Sequence, residues 1–213
     1  MTLGWANPTA PPTLTVLLRH GDTTMSPEHR FSGLCDLPLS ADGTRQAEAA
    51  AGRLAAGAPI DAVVSSPLRR AAATATIAAT KLGLTASTDD DLRETDFGEW
   101  EGFTLAEIQQ RWPAAVAAWQ HDPEQAPPGG ESFADTAHRV HQACDRLLRD
   151  HHGQTVLVVS HITPIKILLC RALDVPLVTL YRLYLGSACI NEIQWHGPEF
   201  AAVRRVNDTS HLG

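Results

Sequence analysis

Thr13-Leu14-Thr15-Val16-Leu17-Leu18-Arg19-His20-Gly21 is the stretch whose reading decides the fold of this 213-residue chain. Its first six residues are apolar or β-branched and read as a buried strand. That strand delivers an arginine, a histidine and a glycine together. Ligands of open α/β sheets bind beyond the carboxyl ends of the strands, so the triplet is expected at a binding edge. The glycine is expected to let the chain turn sharply behind the histidine and to let a ligand approach the main chain. A guanidinium beside an imidazole points to a nucleophilic histidine aimed at a phosphoryl group. Arginine matches phosphate oxygens as a fork, and an unprotonated imidazole attacks.

The rest of the chain repeats this pattern. Asp61-Ala62-Val63-Val64-Ser65 and Thr155-Val156-Leu157-Val158-Val159-Ser160 are two more short apolar strands, the second ending in His161. Ser40 is placed to cap a helix running through Gln46, Ala47, Ala50 and Leu54 to Gly57. Ser66-Pro67 predicts a cap and a first-turn proline for a helix that reaches Leu82 and stops at Gly83. Thr163-Pro164 starts another helix, and Ser132 to Asp150 reads as a long one. Strands that each feed a loop and then a helix predict an α/β protein, a three-layer α/β/α sandwich around a mostly parallel central sheet. Tyr181–Leu185, Cys189–Trp195 and Ala201–Val206 read as strands that extend the sheet.

Between residues 95 and 130 the texture changes. Thr104-Leu105-Ala106-Glu107 has capping-box spacing, and Trp112, Trp119 and the loop Pro127-Pro128-Gly129-Gly130 follow. This segment reads as a helical lid insertion over the sheet edge. Its tryptophans fit core packing as well as substrate contact. Residues 1–12 read as a flexible tail or linker, and 13–213 as one domain.

Charge and composition exclude several classes. A formal net charge of −7 argues against a basic surface for nucleic acid or anionic membranes, so a local arginine cluster must hold any anionic substrate. No apolar run reaches the ~18 residues of a membrane span. The stretch from Met1 to Thr13 lacks the basic and apolar regions of a secretory signal. Cys35, Cys144, Cys170 and Cys189 show no CxxC spacing and fit reduced thiols in the cytoplasm. His138 and His141 near Cys144, and the run Asp89-Asp90-Asp91, fit solvated surfaces better than metal ligands.

Six pieces, in this order, carry a resemblance that spans the chain from Thr13 onward. They are Arg19-His20-Gly21-Asp22-Thr23; Phe31-Ser32-Gly33 with Asp36-Leu37-Pro38-Leu39-Ser40; Ser65 to Ala71; Leu92 to Gly102; Pro128-Gly129-Gly130-Glu131-Ser132; and Val159-Ser160-His161. With them the chain resembles the histidine phosphatase superfamily, whose fold is phosphoglycerate mutase-like. Leu92-Arg93-Glu94-Thr95-Asp96-Phe97-Gly98-Glu99-Trp100-Glu101-Gly102 looks like the phosphatases, including alpha-ribazole phosphatases of cobalamin assembly, rather than the mutases. Ser160-His161-Ile162-Thr163-Pro164-Ile165-Lys166 and Val206-Asn207-Asp208-Thr209-Ser210 are similar to the C-terminal acid-phosphatase half of actinobacterial bifunctional ribonuclease H/acid phosphatases.

The resemblance implies a role for each candidate site residue. His20 would be the nucleophile and form a phosphohistidine, with its far ring nitrogen donating to a backbone carbonyl. Arg19 and Arg70 would bind the phosphoryl oxygens, with His161 adding a charge or a donor. Glu94 would protonate the leaving oxygen and then activate water, crowded by the carboxylates of Asp96, Glu99 and Glu101. Ser26, Ser32, Gly33 and Ile162 would complete the substrate site. Ser26 stands where many relatives carry an asparagine, and Ile162 where glycine is common. No metal and no other cofactor is implied; the partner is a small phosphorylated metabolite, alpha-ribazole 5′-phosphate being the leading specific guess. A homodimer fits the apolar tail. The alternatives are a phosphoglycerate mutase-type phosphotransferase and a phosphate-binding regulatory module without turnover.

Overall fold

The computed structural model describes residues 11–197 and 200–213; of the expected tail, residues 1–10 lie outside the described ones. Six strands form one sheet: β1 Thr13–Arg19, β2 Ala62–Ser65, β3 Ala86–Thr88, β4 Thr155–Ser160, β5 Ile190–Trp195 and β6 Ala201–Asp208. Their spatial order is β3-β2-β4-β1-β5-β6. The first four in that order run parallel, and β5 and β6 add an antiparallel hairpin beside β1. Arg19 pairs with Ser160, and Val159 with Ser65. This register brings the carboxyl ends of β1, β2 and β4 to one level, with the expected site residues in the loops that follow.

Helices cover both faces: α1 Ala41–Ala55 and α2 Arg69–Leu82 on one, α5 Phe133–Asp150 and α6 Ile162–Leu173 on the other. Strand alternation sorts the core accordingly. Val16, Leu18, Leu157 and Val159 pack with Ala50, Ala71 and Ala75 of α1 and α2. Leu17, Val156 and Val158 pack with Val140, Ala143 and Leu168 of α5 and α6. Strands buried on both faces read as unbroken apolar runs, which is why β1 and β4 were visible in the sequence. Leu17, Leu18 and Leu157 are fully buried, each contributing about 1.5–3 kcal/mol.

Between residues 95 and 130 lie α3 Leu105–Arg111 and α4 Pro113–His121. The Thr104–Glu107 capping box closes in both directions. Trp100 is fully buried in a satellite core with Ile108, Val116 and Trp119, and Trp119 lines a cavity as well as packing in that core.

Several expectations are corrected. Ser66 and Pro67 do not cap α2; the helix starts at Arg69 after an extended Leu68. The Ser66 hydroxyl has a different partner, His161. Helix α6 begins at Ile162 with His161 as its N-cap residue, ahead of Thr163-Pro164. Tyr181-Arg182 closes a 3-10 helix over Leu177–Arg182 instead of forming a strand, while Leu183 to Leu185 carry no regular structure. Strand β3 is too short to announce itself. Asp89 and Asp91 are not a solvated run, because both pair with Arg146 at 2.9 Å and 2.6 Å.

Candidate active site

His20 is 5 % exposed, directly beyond β1. Its Nδ1 lies 2.7 Å from the Gly21 carbonyl oxygen. A carbonyl only accepts, so the ring hydrogen sits on Nδ1 and Nε2 keeps the lone pair. Burial, then the charges of Arg19 and Arg70, holds the His20 pKa well below the ordinary imidazole value. The ring is therefore neutral and nucleophilic at mildly acidic pH. Gly21 serves a different purpose from the one expected. A Cβ there would sit 2.2 Å from the Gly43 carbonyl oxygen, so glycine is required for the first turn of α1 to pack against the loop.

Arg70 is fully buried in the first turn of α2. Its Nε donates to His20 Nε2 at 3.2 Å, Nη1 to the Cys35 carbonyl at 2.8 Å and Nη2 to the Gly33 carbonyl at 2.7 Å. Three of the five guanidinium N–H groups are thereby fixed, which leaves one on each Nη uncommitted to these partners. The loop that orients Arg70 is itself held by Glu101, whose Oε1 and Oε2 accept from the backbone N–H groups of Leu34 (2.6 Å) and Cys35 (3.1 Å). Gly33 has φ 42° and its missing Cβ would meet Glu101 Oε1 at 1.9 Å. Gly33 thus does not reach the substrate cavity, as expected of it; it lets Glu101 and Arg70 grip opposite sides of one loop.

Arg19 donates from Nη1 to the Leu185 carbonyl at 2.7 Å, and its buried Nε has no partner among the described residues. His161 is fully buried, its ring 5.0 Å from that of His20. Its Nε2 meets the Ser66 hydroxyl at 2.7 Å, while the buried Nδ1 has no partner among the described residues. Ser66 Oγ accepts from the Leu68 N–H at 3.3 Å; with the hydroxyl hydrogen directed at Nε2, the ring carries its own hydrogen on Nδ1 and offers it as a donor. Burial and the Arg70 charge push the His161 pKa well down, favouring the donor over the charged form. Each orphaned buried donor costs about 1–3 kcal/mol, which a phosphoryl oxyanion would offset.

Glu94 is 6 % exposed. Its Oε1 accepts from the backbone N–H groups of Thr95 (2.9 Å) and Thr163 (3.3 Å), the latter in the first turn of α6. Among the described residues none donates to Oε2, which is free to face a substrate. The carboxylates expected to crowd Glu94 are engaged elsewhere: Asp96 caps the Gly98 N–H, and Glu101 grips the 33–35 loop. What positions Glu94 is Arg139, a residue the sequence reading missed. Its guanidinium donates to the carbonyls of Asp91, Arg93 and Glu94 and forks onto Glu131 at 2.8 Å.

Around these groups lies a cavity of about 290 Å³. Its wall includes Arg19, His20, Glu94, Ser26, Ser32 and Ile162 from the expected set. Arg70 and His161 touch His20 but are not on this wall. Trp119, weighed in the sequence for substrate contact, lines the aromatic side with Phe31, Phe97, Phe133 and Tyr181, while Arg30 and Lys166 on the wall escaped the sequence reading. Ser26 accepts the Thr23 N–H at 2.9 Å, which ties its hydroxyl to the loop after β1. Among the described residues no three His, Cys, Asp or Glu side chains are arranged to hold a metal ion. No described helix is long and apolar enough to cross a membrane.

A neutral, oriented imidazole, a buried arginine, a half-buried arginine and a carboxyl group thus gather beyond the ends of the parallel strands, an arrangement suited to phosphoryl transfer. Residues 15–209 match the sequence profile of the histidine phosphatase superfamily (branch 1), and the chain belongs to that superfamily. The bifunctional protein Rv2228c of Mycobacterium tuberculosis is 48 % identical over 209 residues, covering 98 % of this chain and 57 % of that protein. The chain thus spans little more than half the length of that relative. The adenosylcobalamin/alpha-ribazole phosphatase of Escherichia coli is 31 % identical, covering 90 % of this chain and 94 % of the relative. The solved structure of a mycobacterial glucosyl-3-phosphoglycerate phosphatase with VO3 superposes with a TM-score of 0.81 at 33 % identity, covering 91 % of this chain and 98 % of that one.

Proposed function

We propose that the protein is a metal-independent phosphomonoesterase acting through a phosphohistidine on His20. The observation that carries this reading is the pair of contacts on one ring, Nδ1 to the Gly21 carbonyl and Nε2 to Arg70 Nε. Nε2 attacks phosphorus while the bond to the ester oxygen breaks, and the protonated Glu94 gives its hydrogen to that leaving oxygen. Water then attacks the phosphohistidine, Glu94 takes a proton from it, and the P–N bond breaks to release inorganic phosphate. Arg19, the free Nη hydrogens of Arg70 and the Nδ1–H of His161 stabilise charge on the transferring oxygens, the task a metal performs in other phosphatases.

The substrate is a small phosphorylated metabolite. Alpha-ribazole 5′-phosphate is one candidate, supported by the Leu92 to Gly102 motif and by the Escherichia coli relative. A glucosyl-phosphoglycerate is another, supported by the mycobacterial relative. The low pKa of His20 suits turnover at acidic pH. The test is hydrolysis of p-nitrophenyl phosphate by wild type and His20→Ala, with EDTA, from mildly acidic to neutral pH. Turnover that survives EDTA and is lost in His20→Ala is the expected result. A phosphoenzyme that still forms in His20→Ala would overturn the reading.

A further inference from the structure

We infer that Asn207 is a positioning residue for Arg19, acting through the peptide group between Leu185 and Gly186. This rests on the phosphatase reading above, in which Arg19 binds phosphoryl oxygens. The carbonyl of that peptide group accepts from Arg19 Nη1 at 2.7 Å, and its N–H donates to Asn207 Oδ1, also at 2.7 Å. A peptide group is planar, and in its trans form the C=O and the N–H point in opposite directions. One rigid plate therefore carries Arg19 on one edge and Asn207 on the other. Rotating the plate to break one bond swings the other, and each bond polarises its neighbour. The plate needs such a hold because Leu183 to Cys189 form neither helix nor strand, so no ladder fixes the Leu185 carbonyl.

The local backbone places Asn207 for this task. Ile190 pairs with Asp208 and Glu192 with Arg205, so β6 holds one residue more than β5 between the two pairs. Such a bulge re-aims side chains. Here Asn207 has φ 53°, a left-handed conformation that asparagine tolerates better than most residues with a side chain. The Asn207 N–H is held by Oδ1 of the fully buried Asn191 at 2.7 Å, and Asn191 Nδ2 donates in turn to the Leu17 carbonyl of β1 at 3.3 Å. The contacts thus run from the strand that ends in Arg19, through Asn191 and Asn207, back to the Arg19 guanidinium. They also give a task to the Val206 to Ser210 motif, which the reacting groups leave unused. The far end of the loop is secured separately. The Ala188 N–H donates to the His20 carbonyl at 3.1 Å, and the Ser187 hydroxyl to Asp22 Oδ1 at 2.5 Å. Loss of the Asn207 contact should then release the plate without releasing the loop.

Vanadate affinity, measured by titration calorimetry, reads the phosphoryl site without turnover. Asn207→Gly keeps the left-handed backbone and deletes only the acceptor. It is expected to weaken vanadate binding and to lower kcat/KM for p-nitrophenyl phosphate, each by about tenfold, with the urea midpoint only slightly lowered. In an Arg19→Met background the same substitution should change neither quantity by more than about twofold. Asn207→Asp keeps the acceptor and should bind vanadate within about threefold of wild type. Equal losses from Asn207→Gly in both backgrounds overturn the proposal, and so does an unchanged affinity in the single variant. A loss of about tenfold in Asn207→Asp overturns it as well, and that arm stands if Asn207→Gly does not fold. A wild type that binds no vanadate overturns the phosphatase reading and this proposal with it, whereas a failure confined to the Asn207 variants leaves that reading standing.

Discussion

Arg70 Nε donates to His20 Nε2 at 3.2 Å, so the residue placed to bind phosphate also aims the lone pair that would attack it. The contact exists because both Nη atoms are held by the carbonyls of Gly33 and Cys35. A lysine cannot reproduce this three-way grip. Arg70→Lys is expected to lower kcat/KM for p-nitrophenyl phosphate by roughly 10²-fold and to weaken vanadate binding. Retention of activity within about threefold would show that charge alone suffices at this position.

Glu101 acts on Arg70 only through the 33–35 loop, and its loss should be felt in catalysis more than in folding. Glu101→Gln keeps one acceptor but turns an amide toward an N–H group. A fall in kcat of roughly tenfold is expected, with little change in Tm. Combined with Arg70→Lys, the two losses should be clearly less than additive, because both break one network. Full additivity in the double-mutant cycle would separate Glu101 from Arg70.

Glu94→Gln keeps the size of the side chain and removes its proton chemistry. Turnover should fall by roughly 10²–10⁴-fold while vanadate binds within a few-fold of wild type. If both properties fall together, Glu94 contributes to binding the phosphoryl group rather than to moving a proton.

Arg139→Met should destabilise the fold. The forked bond to Glu131 and three backbone carbonyls lose their donor, and a half-buried carboxylate is left unpaired. About 3–5 kcal/mol is expected, read as a lowered urea midpoint. Glu131→Gln in the same background should recover part of the loss. A single Arg139→Met variant with wild-type stability would show that the Glu94 segment holds its place without this guanidinium.

Buried histidines make stability depend on pH. His20 and His161 both have folded-state pKa values depressed by burial and by the neighbouring arginines. Below the unfolded value, about 6.5, the unfolded chain binds protons that the native state refuses. Their contribution is therefore fully present above about pH 6.5 and is lost as pH falls toward the folded values, by about 1.4 kcal/mol per group per pH unit. Urea unfolding between pH 7 and pH 5 checks this, and His161→Asn should flatten the slope by one group. A flat profile in wild type would mean that the two rings are protonated in the native state.

How much was legible beforehand varies with the range of the interaction. Strands β1 and β4 could be read because burial on both faces writes a continuous apolar run, and Ser40 and Thr104 could be read because a cap is a contact across three residues. Ser66-Pro67 carried the same local signature and misled, since its hydroxyl is drawn instead to His161 across 95 positions. Strand β3 has only three residues and no pattern of its own.

Motif residues gave His20, Glu94, His161, Arg19 and Arg70, but not the groups that hold them. Arg139, Glu101 and the Gly21–Gly43 approach depend on which segments the sheet order brings side by side, and no spacing along the chain encodes that. By itself the sequence determined the longer strands and helices and the sheet edge, because propensity and capping are local, and its motifs supplied the candidate site residues through the family resemblance. Only the tertiary structure decided which nitrogen of His20 carries the hydrogen and which carbonyls hold the guanidinium of Arg70, because long-range contacts fix tautomer and orientation.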